Sequence, residues 1–366
     1  MAPPFLLCFF FTFFLLASRS IESRKHATAA LFVFGDSFFD PGNNNYINTT
    51  TLDQSNFPPY GETFFRFPTG RFSDGRIIPD FILKYAKLPL IPPYMEPDSR
   101  RYYKIGANFA SAGAGALVET FQGSVIGLQT QLSNHKKVVN RLRKIYGNIE
   151  ASDTLSKAVY LFSIGTNDYA SPYLITNSTN FTSSYSNSLL VKIVLGNLTT
   201  AIKELHKRGG RKFGFLNLGP LGCIPGMRIL LNPLSESVGC VKEASLLAKL
   251  HNQELAKLLK RLTKQLHGFK YSLYDFSSNI KHRIKHPSIY GYKEGKVACC
   301  GTGRFRGTFS CGGRRPVKEF EVCENPKEYV FWDSYHFTER VYEEMAHEMW
   351  NKEASRGTYN LKALFQ

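Results

Sequence analysis

Ser37 stands directly behind an apolar run, Ala29-Ala30-Leu31-Phe32-Val33-Phe34, that stops at Gly35-Asp36. A serine hydroxyl is almost never ionised at neutral pH. It attacks a carbonyl only with a base within hydrogen-bond reach and a third group that orients the base. Both partners occur near the other end of the chain, in Val330-Phe331-Trp332-Asp333-Ser334-Tyr335-His336-Phe337-Thr338-Glu339. His336 can serve as the base, and Asp333 can turn around the same loop to accept from its imidazole and stabilise the imidazolium. Each pattern also has an ordinary reading. Gly-Asp-Ser is frequent turn chemistry, and Asp-x-x-His suits a polar turn before a helix with Thr338 as N-cap and Glu339 favoured by the helix dipole. Two further stretches place polar or flexible groups behind apolar ones: Gly106-Ala107-Asn108-Phe109-Ala110-Ser111-Ala112-Gly113-Ala114-Gly115, and Ser163-Ile164-Gly165-Thr166-Asn167-Asp168. Taken singly, Asn167 can cap a turn, and Gly113 and Gly115 can supply turn or packing freedom.

Positioning these residues requires a scaffold, and the hydrophobic pattern supplies one. Short apolar runs rich in β formers predict strands over 29–34, 105–110, 158–164, 212–218 and 269–276. Helical periodicity predicts helices over 75–86, 127–146, 185–207 and 241–266, the last with Leu246, Leu247, Leu250, Leu258, Leu259 and Leu262 on one face. Strands alternating with helices imply a mostly parallel five-stranded sheet covered on both sides. Ser37, Gly113 and Asn167 each follow a strand, so all three fall at the carboxyl edge, where open α/β sheets bind ligands. The cysteine- and glycine-rich stretch 281–325 reads as a stapled loop over one side of that edge. Asp40-Pro41-Gly42-Asn43-Asn44-Asn45 reads as dense turn chemistry.

The four blocks, in this order, resemble the SGNH or GDSL hydrolase superfamily, specifically its plant esterase/lipase branch. The resemblance continues through Pro68-Thr69-Gly70-Arg71-Phe72-Ser73-Asp74-Gly75-Arg76, Leu216-Asn217-Leu218-Gly219-Pro220-Leu221-Gly222-Cys223 and Ala298-Cys299-Cys300-Gly301-Thr302-Gly303. It implies a three-layer α/β/α (flavodoxin-like) sandwich. It also implies three donors for the oxyanion that develops at an attacked ester carbonyl: the Ser37 N–H, the Gly113 N–H and the Asn167 side-chain amide. Three residues depart from the family pattern. Phe38 replaces a leucine, a change expected to alter core packing only. Ala112 replaces a frequent glycine but keeps its N–H. Phe337 stands where proline usually follows the histidine, which predicts a somewhat more mobile histidine loop.

The remaining features concern compartment. Residues 1–20 carry a Phe/Leu-rich core too short to span a bilayer, followed by small residues, and read as a secretory signal peptide; 21–366 then form one domain. No later stretch reaches about 18 apolar residues, so no transmembrane anchor is expected. With 43% hydrophobic and 14% aromatic residues, the chain suits a globular enzyme rather than a disordered one. Six cysteines remain once Cys8 leaves with the leader, an even number that favours disulfides in a secreted chain. Cys223 and Cys240 are the pair expected from their proximity in sequence; the connectivity of Cys299, Cys300, Cys311 and Cys323 stays open. The vicinal Cys299-Cys300 and the lack of a histidine at zinc-ligand spacing argue against a metal site, and no cofactor is implied. Asn48, Asn177, Asn180 and Asn197 head glycosylation sequons, with Asn197 inside a helical pattern. The formal charge of +17 is spread over several segments and suits a solvated surface, with attraction to anionic wall polysaccharide as its functional reading. Secretion to the cell wall or apoplast excludes nucleic acid as a partner.

The residues together predict a secreted serine hydrolase of acyl or lipid esters, working through an acyl-enzyme on Ser37. An acyltransferase would use the same residues with an alcohol in place of water. A catalytically idle carbohydrate- or partner-binding protein on the same scaffold would have no need to retain Ser37, Asn167, Asp333 and His336 together.

Overall fold

In the computed structural model, residues 29–176, 186–231, 239–353 and 357–366 are described. Five parallel strands, β1 (Leu31–Gly35), β2 (Gly106–Asn108), β3 (Val159–Ser163), β4 (Lys212–Leu216) and β5 (Lys270–Tyr274), form one sheet in the order β2-β1-β3-β4-β5. This is the flavodoxin-type order, with its switch point at the carboxyl ends of β1 and β3. Each predicted strand is present, with no end displaced by more than two residues and β1 reaching one residue further, to Gly35.

The helices are α1 (Ile78–Tyr85), α2 (Leu128–Lys157), α3 (Thr166–Thr176), α4 (Asn187–Lys207), α5 (Pro225–Leu231), α6 (Lys242–Gln265), α7 (Phe276–Lys285), α8 (Glu339–Asn351) and α9 (Leu361–Phe365). Alternation along the strands assigns the two faces. Phe32 and Phe34 of β1 pack on His135 of α2. The same face carries an aromatic ladder across the sheet, with ring centroids 5.0 Å apart for Phe34 and Phe162 and 5.4 Å for Phe162 and Phe215. These pairs share the strand register, so each ring covers its neighbour. On the opposite face, a side chain at Gly214 would meet Leu361 of α9 at 2.8 Å. Helices α2, α4 and α6 therefore cover one face and α1, α8 and α9 the other, a three-layer α/β/α sandwich.

Several expectations need correction. The helix predicted over 127–146 continues to Lys157, broken at Gly147, whose φ of 79 interrupts the helical backbone. Asn167, read as a residue able to cap a turn, lies in the first turn of α3. Leu246 is 46% exposed and does not belong to the buried stripe of α6. The stretch 281–325 is more than a loop. It holds the end of α7 and the short strands β6 (Glu294–Ala298), β7 (Cys300–Gly301) and β8 (Glu321–Val322). Strand β6 pairs with β9 (Tyr329–Phe331), and β7 with β8. Three disulfides join Cys223 to Cys240, Cys299 to Cys323 and Cys300 to Cys311. All six cysteines among the described residues are thereby engaged in disulfides. The leader 1–20 lies outside the described residues.

Candidate active site

Strand β1 ends where its backbone crowds that of β3: a side chain at Gly35 would come within 2.3 Å of the Ser163 carbonyl, so only glycine fits. The chain turns there, Asp36 N–H donating to Ser163 O at 3.1 Å, and presents Ser37 at the sheet edge. The other two members arrive from the loop between β9 and α8. Asp333 folds that loop around itself: its Oδ1 accepts from the N–H groups of Tyr335 and His336, both at 2.8 Å. Its carboxylate also takes the His336 ring, with Nδ1 2.8 Å from Oδ1 and 3.0 Å from Oδ2. A carboxylate only accepts, so Nδ1 carries the proton, and Nε2 accepts from the Ser37 hydroxyl at 2.8 Å. The expected Thr338 cap is replaced. Thr338 Oγ1 donates to Tyr329 O, and Asp74 accepts the N–H of Glu339 at the start of α8.

Asp333 is fully buried, and burial alone would raise its pKa. The charge and hydrogen bond of His336, the nearby Arg315 guanidinium and the Tyr60 hydroxyl outweigh that and hold it below the usual carboxylate range. Tyr60 Oη donates to Asp333 Oδ2 at 2.6 Å. Arg315 is itself buried, 3.8 Å above the Phe309 ring, and donates to the carbonyls of Cys311 and Gln54. Sequence reasoning missed Tyr60 and Arg315, because nothing local links them to residue 333. Phe72, in the quoted Pro68 to Arg76 block, packs its ring 4.5 Å from the imidazole. That block is anchored by Arg71 on Asp80 and Arg76 on Glu339.

The second and third blocks meet beside Ser37. Asn167 Nδ2 donates one hydrogen to Ala114 O at 2.9 Å, leaving the other for a ligand. Asp168 ties the two blocks together, accepting from Ala116 N, Leu117 N and Thr120 Oγ1. The Asp40 to Asn45 turn proves to be a cross-brace. Asp40 accepts from Ala112 N, and the Asn43 and Asn44 amides donate to the carbonyls of Ala110 and Ala112. Ala112 N–H is thus spent on Asp40, and Ala114 N–H on Ser111 O. The N–H groups of Gly113 and Ser37 have no acceptor among the described residues. Gly113 has φ 78, a left-handed conformation suited to glycine.

These groups open onto a cavity of about 390 Å³ whose wall includes Ser37, Gly113, Asn167 and His336 beside Leu174, Leu221, Ile224, Met227 and Phe309. The profile of the GDSL-like lipase/acylhydrolase family matches residues 31–349. The chain belongs to this family. It is 54% identical to GDSL esterase/lipase 5 of Arabidopsis thaliana over 97% of this chain and 93% of that protein. It is 50% identical to GDSL esterase/lipase 2 of the same plant over 92% and 90%. With the GDSL lipase of Tanacetum cinerariifolium it shares 49% over 92% and 88%. GDSL family membership makes it a carboxylic ester hydrolase by class.

Within this GDSL scaffold the three departures have structural consequences. Phe38 lines the cavity and meets the His336 ring edge-on at 6.0 Å, so it shapes the site as well as the core. Phe337 is buried, stacks on Phe331 at 5.1 Å and donates its N–H to Tyr342 Oη, which holds the histidine loop rather than loosening it. Ala112 braces Asp40. Burial pushes Asp36 up to about 7, and Asp40, Asp74 and Asp168 up to about 6. His251 is buried against the Tyr169 hydroxyl and is structural.

Among the sequons, Asn48 is exposed. Asn197 is half-buried on α4 with its Nδ2 donating to Ala116 O. Asn177 and Asn180 lie outside the described residues. Among the described residues no helix is long and apolar enough to cross a membrane.

Proposed function

We propose that the protein is a secreted serine hydrolase that cleaves esters of lipophilic acids through an acyl-enzyme on Ser37. The observation that carries this is the continuous chain from Ser37 Oγ through His336 to Asp333, with 2.8 Å at each step, at the wall of a largely apolar cavity. His336 Nε2 takes the Ser37 proton as Oγ bonds to the carbonyl carbon, and Asp333 stabilises the imidazolium. The carbonyl oxygen becomes an oxyanion facing the free N–H groups of Ser37 and Gly113 and the spare hydrogen of Asn167 Nδ2. Collapse returns the proton from His336 to the departing alcohol and leaves an ester on Oγ. Water, deprotonated by His336, adds to that ester, and release of the acid restores Ser37. Ser37, His336, Asp333, Asn167 and Gly113 carry these roles without metal or cofactor.

The leader and the three disulfides support secretion. The charge of +17 supports retention on anionic wall polysaccharide, which predicts binding to a pectate column that weakens steeply with salt. The enzymatic reading is tested with p-nitrophenyl esters of graded chain length. Wild type should release nitrophenol and Ser37→Ala should not. A folded wild type inactive on every chain length refutes it, and product that partitions to added alcohol rather than water assigns acyl transfer instead.

A further inference from the structure

The sheet order gives the cavity two unlike flanks. Ser37 follows β1, between β2 on one side and β3 on the other. Behind β3 and β4 the wall is apolar, formed by Ala170, Leu174, Leu221, Ile224 and Met227. On the β2 side, beside Gly113, it sets the polar Thr50, Asp53 and Ser124 among Leu52 and Phe121. Among the described residues Asp53 is the one carboxylate in the wall, and it has no counterpart in the chemistry described above.

Its placement is fixed by several contacts. Asp53 O accepts from Asn44 Nδ2 at 2.8 Å, and Oδ2 accepts from the hydroxyls of Thr50 at 3.2 Å and Thr49 at 3.4 Å. Oδ1 has no partner among the described residues, and it lies against Gly113 so closely that a Cβ there would sit 2.7 Å away. The charge of Arg315 reaches this carboxyl, but no hydrogen bond joins the two among the described residues, and the guanidinium donates to the carbonyls of Cys311 and Gln54. An accepting oxygen thus stands in the wall beside a free oxyanion donor. A substrate that covers it without offering a hydrogen leaves a desolvated, unpaired acceptor, which weakens binding.

We infer that Asp53 selects the alcohol half of the ester, its Oδ1 accepting a hydrogen bond from a free hydroxyl, so that the preferred substrates are acyl esters of polyols. The inference rests on the ester-hydrolase reading of the same site. The apolar flank behind β3 and β4 then takes the acyl chain, and the β2 flank the hydroxylated alcohol. A site built to accept from a substrate hydroxyl discriminates against the analogue that lacks it.

The test compares kcat/KM for 1-glyceryl octanoate and propyl octanoate, two esters of one acid with three-carbon alcohols, at a pH well above the value of about 6 to which burial raises the Asp53 carboxyl. Dividing the wild-type ratio by that of Asp53→Ala cancels the difference in leaving-group reactivity. Loss of a hydrogen bond to a charged group predicts that Asp53→Ala lowers the glyceryl preference by about tenfold. Asp53→Asn, similar in shape and still able to accept, should lose less and covers the case in which the alanine variant fails to fold. Equal ratios in wild type and in the folded variants overturn the inference while leaving the hydrolase intact. Wild type that cleaves neither ester overturns the hydrolase reading, and this inference with it.

Discussion

Tyr60→Phe removes one hydroxyl from behind the proposed triad and little else. The ring sits among Phe57, Phe72 and Trp332 at centroid distances of 5.6, 6.0 and 6.1 Å, contacts that phenylalanine preserves. Burial raises the Tyr60 pKa well above its ordinary value, and the Asp333 charge adds to this against the pull of Arg315, so the hydroxyl keeps its proton and always donates. Without it, Asp333 Oδ2 keeps, among the described residues, only His336 Nδ1, at 3.0 Å, as a hydrogen-bond donor, on a carboxylate that is fully buried. A hydrogen bond to a charged group is worth roughly 1.5 to 3 kcal/mol, which in a chain of this length lowers the melting temperature by about 2 to 4 °C. Tyr60 acts through Asp333 as a positioning residue. The variant should therefore lower kcat by about tenfold while KM for a nitrophenyl ester stays near the wild-type value. Calorimetry and steady-state kinetics on the same preparations read both quantities. Unchanged melting temperature together with unchanged kcat refutes the idea that the phenol supports the Asp333 carboxylate.

Asn167→Ala, which removes one of three oxyanion donors, should lower kcat by on the order of 10² to 10³ without unfolding the protein; an undiminished kcat excludes Asn167 from the oxyanion site. Buried Asp36, Asp40, Asp74 and Asp168 have raised pKa values, so the native state holds protons that the unfolded chain releases. Their stabilisation is fully present below about pH 4 and is lost as pH rises through about 6 to 7. Asp333, held low, acts in the opposite sense only at the acid extreme, whereas His135 and His251, whose pKa values burial lowers to about 3, gain stability as pH rises toward about 6.5 and offset part of the loss from the four aspartates without reversing it. The melting temperature should therefore fall between about pH 5 and pH 7.5, and a rise across that window contradicts the assignment. Thiol titration of the unfolded, unreduced mature protein should find none of the six cysteines free. Reduction should lower the melting temperature, each bridge contributing about 2 to 4 kcal/mol; two or more free thiols refute the pairing.

The five strands were legible because each is a short apolar run punctuated by glycine or polar residues, and the sheet edge followed from their order. The three site blocks carried their own local signal: a strand, a turn and a polar residue. What escaped the sequence depends on contacts between distant segments. Tyr60 and Asp333 are 273 residues apart, and the Arg315 guanidinium is held by carbonyls at 54 and 311. The asparagine run after Asp40 looked like a turn because Asn and Asp satisfy their own backbone in turns. In the folded protein the same side chains reach the backbone behind β2. The last turns of α2 were missed because Gly147 reads as a terminator, although the chain resumes a helix beyond it. A sequon says nothing about where its amide points, and the hydrogen bond from Asn197 Nδ2 to Ala116 O was likewise not legible.

The central claim is that Ser37 becomes acylated. Intact mass and peptide mapping after treatment with a fluorophosphonate test it most directly, since the reagent marks only a serine activated by its base. The account predicts one adduct per chain, located on Ser37, abolished in Ser37→Ala and strongly slowed in His336→Ala. An adduct on another residue, or undiminished ester turnover by Ser37→Ala, would contradict it.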